Sequence, residues 1–196
     1  MALSAWLLTS EDKEVAETVA RLYGGKSRNC EQQTDTFEVL LDSDNIAVHV
    51  DGPASVINRL VLEEGQEPGH VCNGVRYLEP MADVGRPCGC PGTLFERKTA
   101  ARSGRGPKPD ARIAFRLAGA PEAGLFCVAS SSWQFAESLS TVAYEMEKGG
   151  GAAGLEMRLQ RYCVTTRSGV YVGYVHPVVV IAEGAPMAPR DVGLVA

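Results

Sequence analysis

Two short pairs of residues carry the most specific chemistry in this chain: His70-Val71-Cys72 and, after fifteen intervening residues, Cys88-Gly89-Cys90. Zinc takes four soft or borderline ligands at tetrahedral corners, and thiolates and imidazoles supply them. Two pairs on two loops can meet that demand. Gly89 lets the chain fold tightly enough for both flanking sulfurs to point one way, and Pro87 and Pro91 stiffen the same loop. The expected site is a structural zinc held by His70, Cys72, Cys88 and Cys90. The spacing departs from the usual C-x2-C, and Cys30 could replace His70 as the fourth ligand. Free thiols in a loop and a redox-active Cys88/Cys90 pair are the competing readings. Metal is favoured because the chain from Gly65 to Pro91 is rich in Gly, Pro and Cys and poor in aliphatic residues. Such a segment cannot order itself by burial, whereas metal-binding free energy can do so.

The next segment is basic. From Arg86 to Arg116 there are eight Lys and Arg residues, opposed only by Glu96 and Asp110, so this stretch carries +6 and the rest of the chain −11 within a net charge of −5. Arg97, Lys98, Arg102 and Arg105 are the candidate contacts for an acidic partner or a phosphate; a solvated helix face and loop is the plainer reading. Phe95 is the only ring between Leu94 and Lys108. Reading of nucleic acid by stacked aromatics is therefore not supported, and a chain this acidic overall is a poor general binder of DNA.

Catalysis needs a nucleophile, a base and a group that orients them. The chain has three histidines, one already assigned to the metal. His49 falls on the polar face of a strand and His176 precedes Pro177 at a strand end, both read as surface or packed residues. G-x-S-x-G, Walker A, H-E-x-x-H and G-x-G-x-x-G do not occur. The glycine-rich run 149–154 follows a helix and lacks a Lys-Ser/Thr partner, so it reads as a turn. The expectation is a protein that is not an enzyme.

The elements that must position these residues follow from pattern. With 196 residues, 45% hydrophobic and 22% charged, a real core is available. No run approaches ~20 apolar residues, which argues against a membrane span, and the N-terminus lacks a basic region, which argues against a signal peptide. Six cysteines without a signal peptide point to a reducing compartment. A first helix is expected to start at Thr9 or Ser10, to bury Val15, Val19 and Leu22, and to stop at Gly24-Gly25. Phe37–Leu41 and Ile46–Val50 read as a hairpin turned by Asp42-Ser43-Asp44-Asn45. Arg59–Leu62 and Val75–Leu78 read as short strands, Thr93–Arg102 as a helix, and Ser103–Pro109 as a loop. Arg112–Leu117 alternates strictly, and Leu125–Ala129 returns as a strand. A second amphipathic helix, capped by Ser130, Ser131 or Ser132, would bury Trp133, Ala136, Leu139, Val142, Ala143 and Met146. Leu155–Gln160 and Val170–Val175 pair across a turn at Arg167-Ser168-Gly169, and Val178–Ile181 reads as a buried strand end.

The fold class is α+β: a mostly antiparallel sheet with packed helices and a Cys-rich zinc-binding lobe beside it. Residues 1–66 form the N-terminal helix and hairpin of a single α+β domain, 67–108 the Cys-rich lobe and basic helix, 109–184 the C-terminal sheet and helix of the same domain, and 185–196 a frayed tail.

In order and spacing, several segments resemble one family, the recombination directionality factors that actinobacterial phages use with large serine integrases. These are Glu14-Val15-Ala16 through Leu22-Tyr23-Gly24-Gly25; Val48 to Gly52-Pro53; Cys72-Asn73-Gly74-Val75 with Arg86-Pro87-Cys88-Gly89-Cys90-Pro91; Glu96-Arg97-Lys98 with Gly104-Arg105-Gly106-Pro107; and Phe115-Arg116-Leu117-Ala118, Gly124-Leu125-Phe126 and Ser132-Trp133. The likeness runs from about residue 9 to residue 181. Members carry a longer segment ahead of the first helix than stands here. The resemblance implies a regulator without catalytic residues that binds a large serine integrase on attachment-site DNA, in the cytoplasm of a bacterial host. Excision between the left and right hybrid sites would be allowed and integration inhibited. The other readings are a zinc-ribbon-like nucleic-acid binder and a Cys-dependent redox enzyme.

Overall fold

The computed structural model describes residues 5–31, 35–64, 67–149, 151–166 and 168–182. The 185–196 tail lies outside these residues. The first strand, β1 (Leu7–Ser10), pairs antiparallel with β3 (Phe37–Leu40), which also pairs with β2 (Ser27–Asn29), making a three-stranded sheet in the order β1-β3-β2. Thr9 and Ser10 are thus strand residues, not helix caps. Helix α1 (Lys13–Tyr23) starts one turn later, where the Asp12 carboxylate accepts from the Glu14 and Val15 N–H groups at 2.8 and 3.5 Å. Ala16 and Val19 are buried and Leu22 is largely exposed. Gly24, at φ 77°, ends the helix in a conformation that L side chains rarely adopt.

The anticipated hairpin does not form. Strand β4 (Asn45–Val50) leaves β3 and joins a second sheet, pairing with β10 (Ala153–Thr165) and with β8 (Lys108–Leu117). Asp42 serves the turn differently, accepting from Gly25 N–H at 2.8 Å. The second sheet has eight strands. Its path is β11-β10-β4-β8-β5-β6-β7, with β9 (Phe126–Ser130) paired to β8; β5 is Val56–Glu64, β6 Glu67–Cys72, β7 Tyr77–Glu79 and β11 Tyr171–Ile181. The Cys-rich lobe is continuous with the sheet: β6 and β7 form its edge, and the loop that carries Cys88 and Cys90 follows them. β6, which carries His70 and Cys72, is a strand that its Gly and Pro content had hidden.

Helix α3 (Trp133–Gly149) packs across β11, β8 and β5. Phe135, Ala136, Leu139, Val142 and Met146 are buried; Trp133 and Ala143 of the expected stripe are only partly so. Phe135 takes the central place, fully buried with Ile113, Phe115 and Leu117 of β8 in the main core. Ser132 caps α3, its hydroxyl accepting from Phe135 N–H at 3.4 Å. Of Val178–Ile181, only Val179 is buried, because β11 is an edge strand.

Candidate metal centre

The residues around Cys72 fold for local reasons. Cys72 ends β6, and the side-chain carbonyl of Asn73 accepts from Val75 and Arg76 N–H at 2.9 and 2.8 Å, closing a tight turn over Gly74 at φ 88°. The chain then runs back alongside itself. Tyr77 N–H donates to Arg86 C=O, and Cys88 N–H to Val75 C=O at 3.0 Å. This short ladder delivers Cys88 to the Cys72 turn. Gly89, at φ 70°, reverses the chain between Cys88 and Cys90. Thr93 and Glu96 then form a reciprocal cap that starts α2 (Leu94–Arg102) immediately after the second loop.

The four sequence-predicted ligands come together. One ligand atom from each of His70, Cys72, Cys88 and Cys90 lies within 4.8 Å of all the others. Cys72 Sγ and Cys90 Sγ are 3.7 Å apart, and Cys90 Sγ lies 3.5 Å from His70 Nε2. A tetrahedral ion with Zn–S of 2.3 Å and Zn–N near 2.05 Å demands edges of about 3.8 Å (S···S) and about 3.6 Å (S···N). The residues present thus fit the ion in both chemistry and spacing. Cys30 is not in the group; it follows β2 in the small sheet, its N–H donating to Thr36 C=O at 2.7 Å.

Burial and mutual proximity split the three thiols. Burial pushes Cys90 up to about 12, reinforced by hydrogen bonds and charge repulsion from Cys72 and Cys88. Burial also raises Cys72, outweighing the Gly74 N–H that donates to its sulfur at 3.3 Å. Cys88 goes the other way: burial opposes its charge, yet hydrogen bonds from the Cys90 backbone and the two neighbouring thiols lower it. Three thiolates in one small space need a cation to coexist, and a bound metal reverses this order by holding all three deprotonated.

The surroundings are apolar on the protein side. Leu60, Cys72 and Cys88 form a small buried cluster, with Tyr77, Cys90 and Trp133 packed on it. The Tyr77 ring lies 4.6 Å from that of His70. The groove between this cluster and the start of α3, lined by Asn58, Leu60, Leu94 and Trp133, holds about 140 Å³, below the ~300 Å³ at which pockets for organic ligands begin.

The four basic candidates divide. Arg97 is partly buried and turned inward: its Nε donates to Pro91 C=O at 2.6 Å and its Nη2 to Gly74 C=O at 2.9 Å. Lys98 is half-buried, whereas Arg102 and Arg105 are exposed, Arg105 donating to Ser103 Oγ at 3.1 Å. Sequence reasoning read Arg97 as a surface charge. The signal that could have placed it was the Asn73-Gly74 turn, whose outward carbonyl needs a donor. Arg59 was missed altogether; from β5 it donates to Asp110 of β8 at 2.9 Å and to Glu79 of β7 at 2.8 Å, tying the cysteine-bearing edge to the sheet.

Among families of known proteins, the Gp3-like model, described as recombination directionality factor-like, matches residues 1–182. The chain belongs to that family. Recombination directionality factor-like proteins are regulators rather than enzymes, and the family implies interaction with a recombinase. The match runs through β6, the second cysteine loop and α2, so the four clustered His and Cys residues lie inside the family's extent. No solved structure matches the chain. Among the described residues, no helix is long and apolar enough to cross a membrane.

Proposed function

We propose that this chain is a phage recombination directionality factor that binds a large serine integrase on attachment-site DNA, promotes excision between the hybrid sites and inhibits integration. The observation that carries this reading is the family match along residues 1–182. The mechanism is a shift of population. A factor that binds one arrangement of the integrase–DNA complex more tightly than another moves the equilibrium by its differential affinity, and about 10⁴-fold preference nearly inverts it. Such a protein needs a rigid surface and no reacting group. Since the integrase acts on phage DNA in the infected cell, the factor works in the cytoplasm of the bacterial host. Its net charge of −5 favours docking on the protein over strong independent binding to DNA.

In this reading His70, Cys72, Cys88 and Cys90 hold a structural zinc, supported by the 3.7 and 3.5 Å ligand separations. When bound, the ion would supply cross-linking rather than chemistry, fixing β6 to the second cysteine loop. Residues 67–108 act as the recognition lobe, and Arg102 and Arg105 stand exposed on its basic side.

The test is recombination in vitro with the large serine integrase encoded by the same phage genome. Adding the purified factor is expected to switch on recombination between the left and right hybrid sites and to suppress recombination between the phage and bacterial sites. No effect in either direction overturns the proposal. Tight, salt-sensitive binding to DNA in the absence of integrase would favour the nucleic-acid-binding reading instead.

A further inference from the structure

The cysteines of this chain fall into two groups. Cys30, Cys127 and Cys163 stand after β2, on β9 and on β10, the last two exposed. Cys72, Cys88 and Cys90 crowd into one corner with His70. Within that corner access is uneven. Cys72 is 0% exposed and Cys88 6%, whereas Cys90 is only partly buried. Cys90 Sγ is thus the sulfur that a small solute in water reaches first, and Cys72 Sγ stands 3.7 Å from it. A disulfide needs about 2.05 Å between its sulfurs, so this pair has a short distance to close.

Two features keep the pair apposed independently of an ion. Arg97 donates to the carbonyls of Gly74 and Pro91, just beyond Cys72 and Cys90 respectively. The same guanidinium therefore ties the two sulfur-bearing turns together. Gly89, at φ 70°, reverses the chain just ahead of Cys90, with nothing packed within 4 Å of where a Cβ would stand, so this turn can shift without meeting a neighbour.

Chemistry at these sulfurs would be felt locally. Cys72 and Cys88 are two of the three buried residues in the small cluster, the third being Leu60. Among the described residues, the main core contains no cysteine. A change at the corner acts on the lobe and spares the core.

We infer that Cys72 and Cys90 form a redox switch in which a hydroperoxide converts the zinc-bound thiolate pair to a disulfide and expels the ion. The inference rests on the zinc site proposed above. The Cys90 sulfur attacks a peroxide oxygen; the O–O bond breaks, an S–O bond forms and hydroxide leaves. The Cys72 sulfur then attacks the Cys90 sulfur; the S–S bond forms as the S–O bond breaks, and a second hydroxide leaves. The two sulfurs lose two electrons, the peroxide gains them, and two protons from solvent complete two waters. Left with His70 and Cys88 alone, the ion lacks two of its four corners and departs as Zn²⁺. A dithiol reverses the step, since a disulfide, unlike a sulfinic acid, is reduced by thiol exchange. On the function proposed above, the factor docks only where the cytoplasm keeps this pair reduced.

The experiment uses the full chain, purified with zinc under reducing conditions and then exposed to hydrogen peroxide. A chromophoric chelator reads released zinc, and tandem mass spectrometry maps the bonds formed. One zinc released per Cys72–Cys90 disulfide is expected, with uptake restored by dithiothreitol and fresh zinc. The variant Cys30→Ser/Cys127→Ser/Cys163→Ser should behave as wild type. Arg97→Ala, folded by circular dichroism, frees the two turns from each other and should raise the share of chains ending as sulfinic acid at least threefold. Release without a disulfide, a disulfide joining any other pair, or release that dithiothreitol cannot reverse overturns the inference. So does zinc that stays bound while Cys127 is already oxidised. A chain that holds no zinc before peroxide is added sinks the zinc site and the switch with it; a chain that holds zinc and keeps it sinks only the switch.

Discussion

The guanidinium of Arg97 grips the carbonyl of Gly74 at 2.9 Å while its Nε holds Pro91 C=O at 2.6 Å. One side chain thus spans the turn after Cys72 and the loop after Cys90. Hydrogen bonds from a charged donor contribute about 1.5–3 kcal/mol each. Arg97→Ala is expected to leave the main core folded and to speed zinc transfer to a chromophoric chelator about tenfold; Arg97→Lys, unable to span both carbonyls, should fall between. Unchanged transfer rates would refute the strut.

Gly74 makes the reciprocal prediction. A Cβ there would sit 2.6 Å from Arg97 Nη1, on a backbone at φ 88°. Gly74→Ala should loosen the lobe as Arg97→Ala does, and the double variant should lose little more than either single one, as expected for residues sharing one interaction. Full additivity in the chelator assay would show that they act separately.

Mass spectrometry under native conditions is expected to find one zinc per chain. Cys88→Ser should lose it, and amide hydrogen exchange should then quicken in residues 67–92 while β8 and α3 stay protected, since Phe115, Phe135 and Leu139 are buried far from solvent. Retention of stoichiometric zinc by this variant would remove Cys88 from the ligand set.

Phe135→Ala tests the opposite end of the stability scale. A fully buried ring in a well-packed core costs about 3–5 kcal/mol to truncate, so the midpoint of chemical denaturation should fall for the whole protein. Phe95→Ala, on the exposed face of α2, should move it by less than about 0.5 kcal/mol.

Asp110 sets part of the acid limb. Burial alone would raise its carboxyl, but hydrogen bonds from Arg112 and Arg59 overcome this and hold it below the usual carboxylate range. A carboxylate lowered on folding adds stability that is complete above its unfolded pKa, about 4, and is lost as pH falls through the folded value. The stability gap between wild type and Asp110→Asn should therefore be constant from pH 5 to 7 and close progressively below pH 4. A gap that widens on acidification would reverse the assignment.

The clustering of His70, Cys72, Cys88 and Cys90 was legible because ligand chemistry is local: His-x-Cys and Cys-Gly-Cys announce themselves within three residues. The regular strands of the last third were legible from alternation, as in Arg112–Leu117. The hairpin between Phe37–Leu41 and Ile46–Val50 was misread because turn residues describe a bend, while pairing is decided by distant partners; here β4 found β10, about a hundred residues away. β6 went unread because Pro68 and Gly69 disguise a strand whose neighbours, β5 and β7, supply its order. Arg97 was counted as charge, since composition cannot tell a solvated cation from one that braces two carbonyls.

Helix α3 joins what lies at its two sides. Its first residue, Trp133, packs on the cysteine cluster, and Ser138, five residues on, accepts from Val179 N–H of β11 at 3.2 Å. Five residues of helix span about 7.5 Å, so the cysteine corner at one edge of the sheet and β11 at the other hang from one short axle.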